Sequence, residues 1–355
     1  MPLGALEFPD LRPLRLSSVL YEVTSRCNLA CAHCYNVWKD GVGYPTGELD
    51  TEGALRLIAK AAKEGRCEQM TFTGGEPCLR EDLETLVAFA KRRVRHVVLI
   101  TNGTLLDEGR IRSLLEAGVD LFELPLHGGD PATHDEVLGC PGSFHRITRA
   151  AADIRSQGGQ IAFVFVGKRS NIEHWEAALE VGVALGARSF LFNRWNAGGA
   201  CHERPEDLMP SVEQIRTALE IAEAGVKRYD VVISASIPLP PCLVDVSPYS
   251  SVNFGFCAAG GRNAYFTLDP MGFVRPCNHT TTVLGNLLEQ PFRHLARSRT
   301  LKEFVAARPT FCAGCAQEST CMGGCKAAAE ACYGDLRACE PFLAMNLDRV
   351  RRPRA

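Results

Sequence analysis

Residues 17–36 read SSVLYEVTSRCNLACAHCYN. The first eight form a short apolar, β-rich run, the pattern of a buried strand. Directly after it come Cys27, Cys31 and Cys34 at C-x3-C-x2-C spacing. Closed structural metal sites usually take four protein ligands, and this loop supplies three. The triplet can hold zinc, with His33 or a remote cysteine as the fourth ligand, or a [4Fe–4S] cluster with one iron left free. A metal site at the end of a strand also says something about the fold around it.

Working outward, further strand candidates are QMTFT (69–73), HVVLIT (96–101), DLFELPL (120–126), QIAFVFVG (160–167), SFLFNRW (189–195) and DVVISAS (230–236). Helical patterns lie between them near 51–64, 81–92, 107–117, 144–157, 172–185 and 211–227. LETLVAFA (83–90) and EHWEAALEVGVAL (173–185) place apolar residues three and four apart. Asp50, Asn171 and Ser211 stand where helix N-caps are wanted. Strand–helix alternation of this kind implies parallel strands with right-handed crossovers. Six such units make an open sheet or a partial or complete barrel, and in either case chemistry gathers at the carboxyl ends of the strands. The triplet sits at such an end.

Beyond residue 236 the pattern changes. IPLPPCLVDVSPYSSVNFGFC (237–257) is rich in proline and serine and reads as a linker. AYFTLDPMGFVRPC (264–277) reads as a hairpin about Asp-Pro-Met-Gly, and short helices are expected near 287–297 and 300–307. A second cysteine field follows.

The chain has 355 residues, 46% apolar and 23% charged, with a formal charge of −2. That length suggests two or three domains of an ordinary globular protein. The near-neutral balance argues against a nucleic-acid partner. KRRVR (91–95) is expected to end a helix, and RVRRPRA (349–355) to be a frayed tail. The N-terminus lacks the apolar core of a signal peptide, and no run approaches the roughly 18 apolar residues of a membrane span, so a cytoplasmic protein without membrane association is expected. Sixteen cysteines in a reducing compartment point to metal rather than disulfides.

The triplet, with the aromatic Tyr35 after its last cysteine, resembles the signature of the radical S-adenosylmethionine (SAM) enzymes. TFTGGEP (71–77), ending the second strand, extends the resemblance. It implies that Cys27, Cys31 and Cys34 bind a [4Fe–4S] cluster whose fourth iron is left for SAM. It further implies that Gly74, Gly75 and Glu76 receive the methionine end of SAM, Glu76 facing the amino group. ITNGT (100–104), LPLHG (124–128) and FNRWN (192–196) close strands three, four and six. In the family such positions touch the SAM carboxylate, ribose or adenine, which makes Asn102, His127, Asn193 and Arg194 candidates. Each can equally be a turn or surface polar residue; His127 can also carry a proton near neutral pH.

Cys257-x14-Gly272-x4-Cys277, then Cys312-x2-Cys315-x5-Cys321-x3-Cys325, then Cys339, is similar to the seven-cysteine pattern of the SPASM extension. Members that carry it usually bind two auxiliary [4Fe–4S] clusters. Carried over, Cys257, Cys277 and Cys325 hold the nearer cluster and Cys312, Cys315, Cys321 and Cys339 the distal one. Where relatives place a further cysteine, this chain has AAGGRN (258–263), so Cys242 is the candidate for the nearer cluster's fourth ligand, the alternative being a second open iron. Cys332 competes with Cys339 less well. Cys67, Cys78, Cys140 and Cys201 are expected to act as small side chains, with Cys140 and Cys201 able to line the cleft.

The resemblance therefore implies a partial (β/α)6 TIM-like barrel over 18–236, a linker over 237–256 and a small cysteine-rich α+β SPASM domain over 257–346. An N-terminal extension (1–17) and a basic tail (347–355) flank them. The implied activity is oxidoreductase chemistry: SAM is reductively cleaved and the 5′-deoxyadenosyl radical removes a substrate hydrogen. The substrate is expected to be a ribosomally made peptide that is oxidised, cross-linked or epimerised; a small metabolite or tetrapyrrole side chain is the alternative, and a zinc-stapled binding module a distant one. Sulfatase-oxidising members carry an aspartate just after the position of Cys277; here Asn278 and His279 follow, which disfavours that substrate. Expected partners are an external one-electron donor of flavodoxin or ferredoxin type and, since the short segment before strand one has no room for a leader-recognition domain, a separate leader-peptide-binding protein.

Overall fold

In β1 (Ser18–Glu22) Val19 and Tyr21 are buried, with Val23 just beyond the strand, while Ser18 and Leu20 face the other way. The same alternation runs through β2 (Gln69–Thr73), β3 (His96–Ile100), β4 (Leu121–Pro125), β5 (Ile161–Gly167), β6 (Ser189–Arg194) and β7 (Val232–Ala235). These strands pair in sequence order, all parallel. Their outer faces, including Phe72, Leu99, Phe122, Phe163 and Phe190, join one continuous core with the helices. Helices α1 (Thr51–Gly65), α2 (Leu83–Lys91), α3 (Glu108–Ala117), α4 (Pro131–Leu138), α5 (Ser143–Ser156), α6 (Trp175–Ala184), α7 (Pro205–Leu208) and α8 (Val212–Tyr229) provide the connections. Leu20, Thr71, Ile100, Glu123, Val164 and Leu191, on the inner faces of β1 to β6, all line one cavity. The sheet is therefore curled around that space, as a partial barrel.

The computed structural model describes residues 18–38, 44, 47–199, 204–259 and 264–350. The N-terminal extension (1–17), Cys201 and the last five residues of the basic tail lie outside the described residues. The seven expected strands and six expected helices are all present. Asp50 accepts from Gly53 N at 2.8 Å, and Ser211 forms a capping box with Gln214. Asn171 stands at the N-cap position of the 3-10 turn Ile172–His174, but its side chain does not cap it: Oδ1 accepts from Lys168 N (2.7 Å) and the amide donates to His127 O (3.0 Å), tying β5 to the end of β4. Helix α4 was not expected, because Val137 and Leu138 alone give its eight residues little periodicity. Its ends are nonetheless marked: Asp130 caps Thr133 N, Pro131 opens it and Gly139 (φ 64°) closes it.

The expected linker carries a strand. β8 (Asn253–Phe254) pairs parallel with β7. β9 (Tyr265–Leu268) and β10 (Phe273–Arg275) form the expected hairpin, and β11 (Gly285–Asn286) extends it antiparallel. In the turn, Asp269 Oδ1 accepts from Met271 N and Phe273 N, and Gly272 takes φ 87°. β9 then pairs parallel with β1, Ser18 opposite Tyr265. The result is one eleven-stranded sheet in the order β11-β10-β9-β1-β2-β3-β4-β5-β6-β7-β8.

Two buried ion pairs reinforce this union. Arg275 on β10 pairs with Glu22 on β1, and Arg194 at the end of β6 pairs with Glu340 at 2.7 Å; all four side chains are at most 1% exposed. Among the described residues no helix is long and apolar enough to cross a membrane.

Candidate active site

The loop that follows β1 is built on the second strand. Val23 N donates to Thr73 O, Gly75 N to Thr24 O and Glu76 N to Arg26 O, each at 2.8 Å. A Cβ on Gly75 would stand 2.1 Å from Arg26 O, and one on Gly74 (φ 143°) 2.3 Å from Thr24 O. Both glycines are thus demanded by the approach of the cysteine-bearing loop. Asn36 donates to Gly74 O at 2.8 Å and closes the loop from its far end. Asn102, after β3, donates to Asn28 Oδ1 at 2.8 Å, and Asn28 donates to Thr104 at 2.9 Å. The loop is held from β2 and β3 before any ligand is considered.

Cys27, Cys31 and Cys34 line a cavity of about 480 Å³. Gly74, Gly75, Asn102 and His127 line it too. Cys257, Cys277 and Cys325 reach the same space from the C-terminal region. The two regions meet closely: the Tyr35 ring stacks on His279, centroids 4.4 Å apart, and Asn196 donates to Cys325 Sγ at 3.2 Å. Around Cys277, His279 N donates to the sulfur at 3.4 Å and the Tyr265 hydroxyl lies 3.6 Å away.

These thiols suit an iron–sulfur centre. Burial, and then the neighbouring Cys325, push the Cys277 thiol up to about 12. Such a group becomes a thiolate only beside a compensating cation. Cys27, Cys31 and Cys34, and from the other side Cys257, Cys277 and Cys325, face open space within one cavity. N–H donors to sulfur are the usual surroundings of such clusters.

Four of the expected site residues have other partners in this structure. Glu76 is fully buried and accepts from Thr101 Oγ1 (2.6 Å), Asn102 N (2.7 Å) and Cys78 N (3.0 Å), which braces β3 against the turn. Asn193 borders the cavity but its Oδ1 accepts from Ser236 N and Oγ at 2.9 Å, joining β6 to the segment after β7. Arg194 borders it as well, yet its guanidinium is spent on Glu340 and on Pro238 O (3.0 Å). Cys242 is not beside Cys257, Cys277 and Cys325; it stands with Cys312, Cys315 and Cys321 around a second, small cavity. For Glu76, Asn193 and Arg194 a polar contact to a residue distant in the chain, invisible in the sequence, holds the side chain.

His127 accepts from Val166 N through Nδ1 at 3.2 Å, which leaves its proton on Nε2. Burial, then His33 and His134, hold it well below its ordinary value, so the ring is neutral. Three cavity residues escaped the sequence reading. Glu123, on the inner face of β4, is the carboxylate among Leu20, Ile100, Val164 and Leu191, and burial alone raises it to about 7. Lys326 donates to Val305 O at 3.0 Å and burial lowers it to about 8. Asn196 is the third. Only Glu123 left a sequence signal, a charge at an inward position of an otherwise apolar strand.

A curled parallel sheet with three cysteines after its first strand, sharing a cavity with a second cysteine set, defines a radical SAM enzyme with an auxiliary cluster domain. The family models agree: that of the radical SAM superfamily matches residues 21–181, and that of the SPASM iron–sulfur cluster-binding domain matches 257–317. The chain belongs to the radical SAM superfamily and carries a SPASM domain. It is 30% identical over 344 residues to the PqqA peptide cyclase of Granulibacter bethesdensis, covering 92% of this chain and 87% of that protein. With the PqqA peptide cyclase of Ruegeria pomeroyi it shares 29% over 360 residues, covering 98% and 92%. Its fold is that of anSMEcpe with bound AdoMet (TM-score 0.72, 18% identity, 94% of this chain and 95% of the other). It is also that of Streptococcus suis SuiB bound to S-adenosylmethionine (TM-score 0.71, 14% identity, 88% and 74%). The enzyme uses SAM with a [4Fe–4S] cluster and holds auxiliary iron–sulfur clusters. The zinc-stapled alternative falls with this assignment.

Proposed function

We propose that this enzyme modifies a ribosomally made peptide by removing hydrogen, leaving an oxidised or cross-linked residue. The observation that carries the reading is the similarity to PqqA peptide cyclases along almost the whole chain. When bound, SAM and the cluster at Cys27, Cys31 and Cys34 supply a 5′-deoxyadenosyl radical able to take a hydrogen atom from an unactivated carbon. The chain's own residues do the rest. The loop tied to Gly74, Gly75 and Asn102 fixes where that chemistry happens, and apolar strand faces keep water from it. Neutral His127 can donate a hydrogen bond from Nε2. Net oxidation must also dispose of a proton and an electron: an auxiliary cluster held by Cys257, Cys277 and Cys325 would accept the electron, and Glu123, poised near neutrality inside the barrel, is suited to take the proton. The electron donor is an external flavodoxin- or ferredoxin-like protein, and a separate leader-binding protein presents the peptide.

The test is anaerobic. Reduced protein with about 12 irons per chain should cleave SAM to 5′-deoxyadenosine, and alanine at Cys27, Cys31 and Cys34 should abolish this while leaving about eight irons. A short peptide encoded beside the gene, supplied with its leader-binding partner, should lose two hydrogen atoms by mass spectrometry. SAM cleavage with no change to that peptide, but with turnover of a small metabolite, would overturn the peptide reading.

A further inference from the structure

We propose that Glu123 selects the substrate by holding a primary alkylammonium group inside the barrel. Resting on the peptide reading above, that group is the end of a lysine side chain in the segment to be modified. Glu123 is the only carboxylate among the described residues that line the main cavity. Among those residues its side chain has no hydrogen-bond or ionic partner. Burial is the one influence on its acidity, as expected of a carboxyl with no cation beside it. The arginine and the lysine that border the cavity are engaged elsewhere, Arg194 with Glu340 and Pro238 O, Lys326 with Val305 O. An enclosed carboxylate is costly to keep unpaired. The cost is offset when the partner arrives with the substrate.

The position in the sheet fits a long amine. Register sets Glu123 beside Ile100 of β3 and Ala162 of β5. Leu20, Ile100, Val164 and Leu191 make the inner wall apolar, and Ser18 and Thr71 add hydroxyls to it. An aliphatic stem lies well along such a wall while its charged head meets the carboxylate. Pro125 ends β4 two residues on, so Glu123 lies roughly 7 Å below the carboxyl end of its strand. The four-carbon stem of a lysine spans that depth. With its nitrogen at Glu123, its backbone stands level with the strand ends, where Cys27, Cys31 and Cys34 gather. A guanidinium fits less well, because a single carboxylate in an apolar wall leaves most of its five N–H donors unmet. Holding an ammonium also keeps the carboxyl ionised, the form in which it can accept a proton.

Two experiments on anaerobic holoenzyme with SAM decide the matter. n-Butylammonium, a lysine side chain without its backbone, should raise the melting temperature, while pentan-1-ol, of similar length and neutral, should not. An equal rise with both overturns the proposal, and this comparison uses the unaltered enzyme. Glu123→Gln should abolish the butylammonium response; a response that survives in this variant overturns it too. In the second experiment the peptide encoded beside the gene has its lysines replaced by norleucine one at a time. One replacement should lower kcat/KM about 10- to 100-fold, the worth of a charge-assisted hydrogen bond, and Glu123→Gln should erase the difference. Equal turnover of every norleucine peptide, or modification of a peptide that has no lysine, refutes the assignment. The two readings fail separately. A butylammonium response lost in Glu123→Gln, with the peptide left unmodified, upholds the amine site and overturns the peptide as its source.

Discussion

Replacing Arg194 with methionine separates two roles for this residue, a contact to SAM and a tie between the barrel and the C-terminal region. The structure gives the second. The Arg194–Glu340 pair spans 2.7 Å with both side chains fully buried, and the guanidinium also lies 4.8 Å from the Phe342 ring centroid. Arg194→Met leaves the Glu340 carboxylate in a place with no water and no cation. Breaking a buried pair from one side costs about 3–5 kcal/mol. For a chain of this size that is a fall in melting temperature of roughly 4–7 °C. Arg194→Met with Glu340→Leu removes the stranded charge, and apolar replacements of buried pairs are often neutral. The double variant should recover most of the loss, short of about 1 kcal/mol for the hydrogen bond no longer made to Pro238 O. The assay is a double-mutant cycle of thermal unfolding by circular dichroism on anaerobic holoenzyme, with SAM affinity measured in parallel. Unchanged melting of Arg194→Met together with weakened SAM binding would refute the reasoning and return Arg194 to the ligand.

Gly75→Ala should cut 5′-deoxyadenosine formation at least tenfold, because its Cβ would stand 2.1 Å from Arg26 O and must displace the cysteine loop; overpacking of this kind costs roughly 1–3 kcal/mol. Glu123→Gln should leave stability unchanged below pH 4.5 and raise it by up to about 3 kcal/mol above pH 7. The sign follows from linkage: burial raises the folded carboxyl from 4.5 to about 7, so wild-type stability falls as pH climbs through that window and then levels off. Melting temperatures of both proteins from pH 4.5 to 8 check it. Asn196→Ala removes an N–H donor from Cys325 Sγ, and the reduction potential of the auxiliary cluster it ligates should become more negative by potentiometric titration.

What could be read from the sequence was whatever repeats or is spaced along it. Strand and helix periods gave the seven strands and the helices between them, and cysteine spacings separated the three-thiol loop from the second field. GGEP was recognisable, though its packing was not: the glycines are shaped by the backbone of Thr24 and Arg26, and Glu76 accepts from Thr101, Asn102 N and Cys78 N. Contacts between segments far apart in the chain carry no local signal. Arg194 with Glu340, Asn196 with Cys325 and Cys242 with Cys321 are of this kind. So is the pairing of β9 with β1, which makes the supposed appendix an edge of the barrel sheet.

That last pairing bears on how the chain is made. β1 is hydrogen-bonded on one side by β2 and on the other by β9, whose first residue is Tyr265. At about 5–20 residues per second, a ribosome delivers Tyr265 roughly 10–50 s after Ser18. Through that interval β1 presents an unpaired edge, the form in which strands recruit wrong partners. When β9 arrives, Cys257 has just preceded it and Cys277 follows within the same hairpin segment. Closing the edge and bringing in the first auxiliary thiols are therefore one late event in biogenesis, so a protein starved of iron at that moment risks misassembly as well as inactivity.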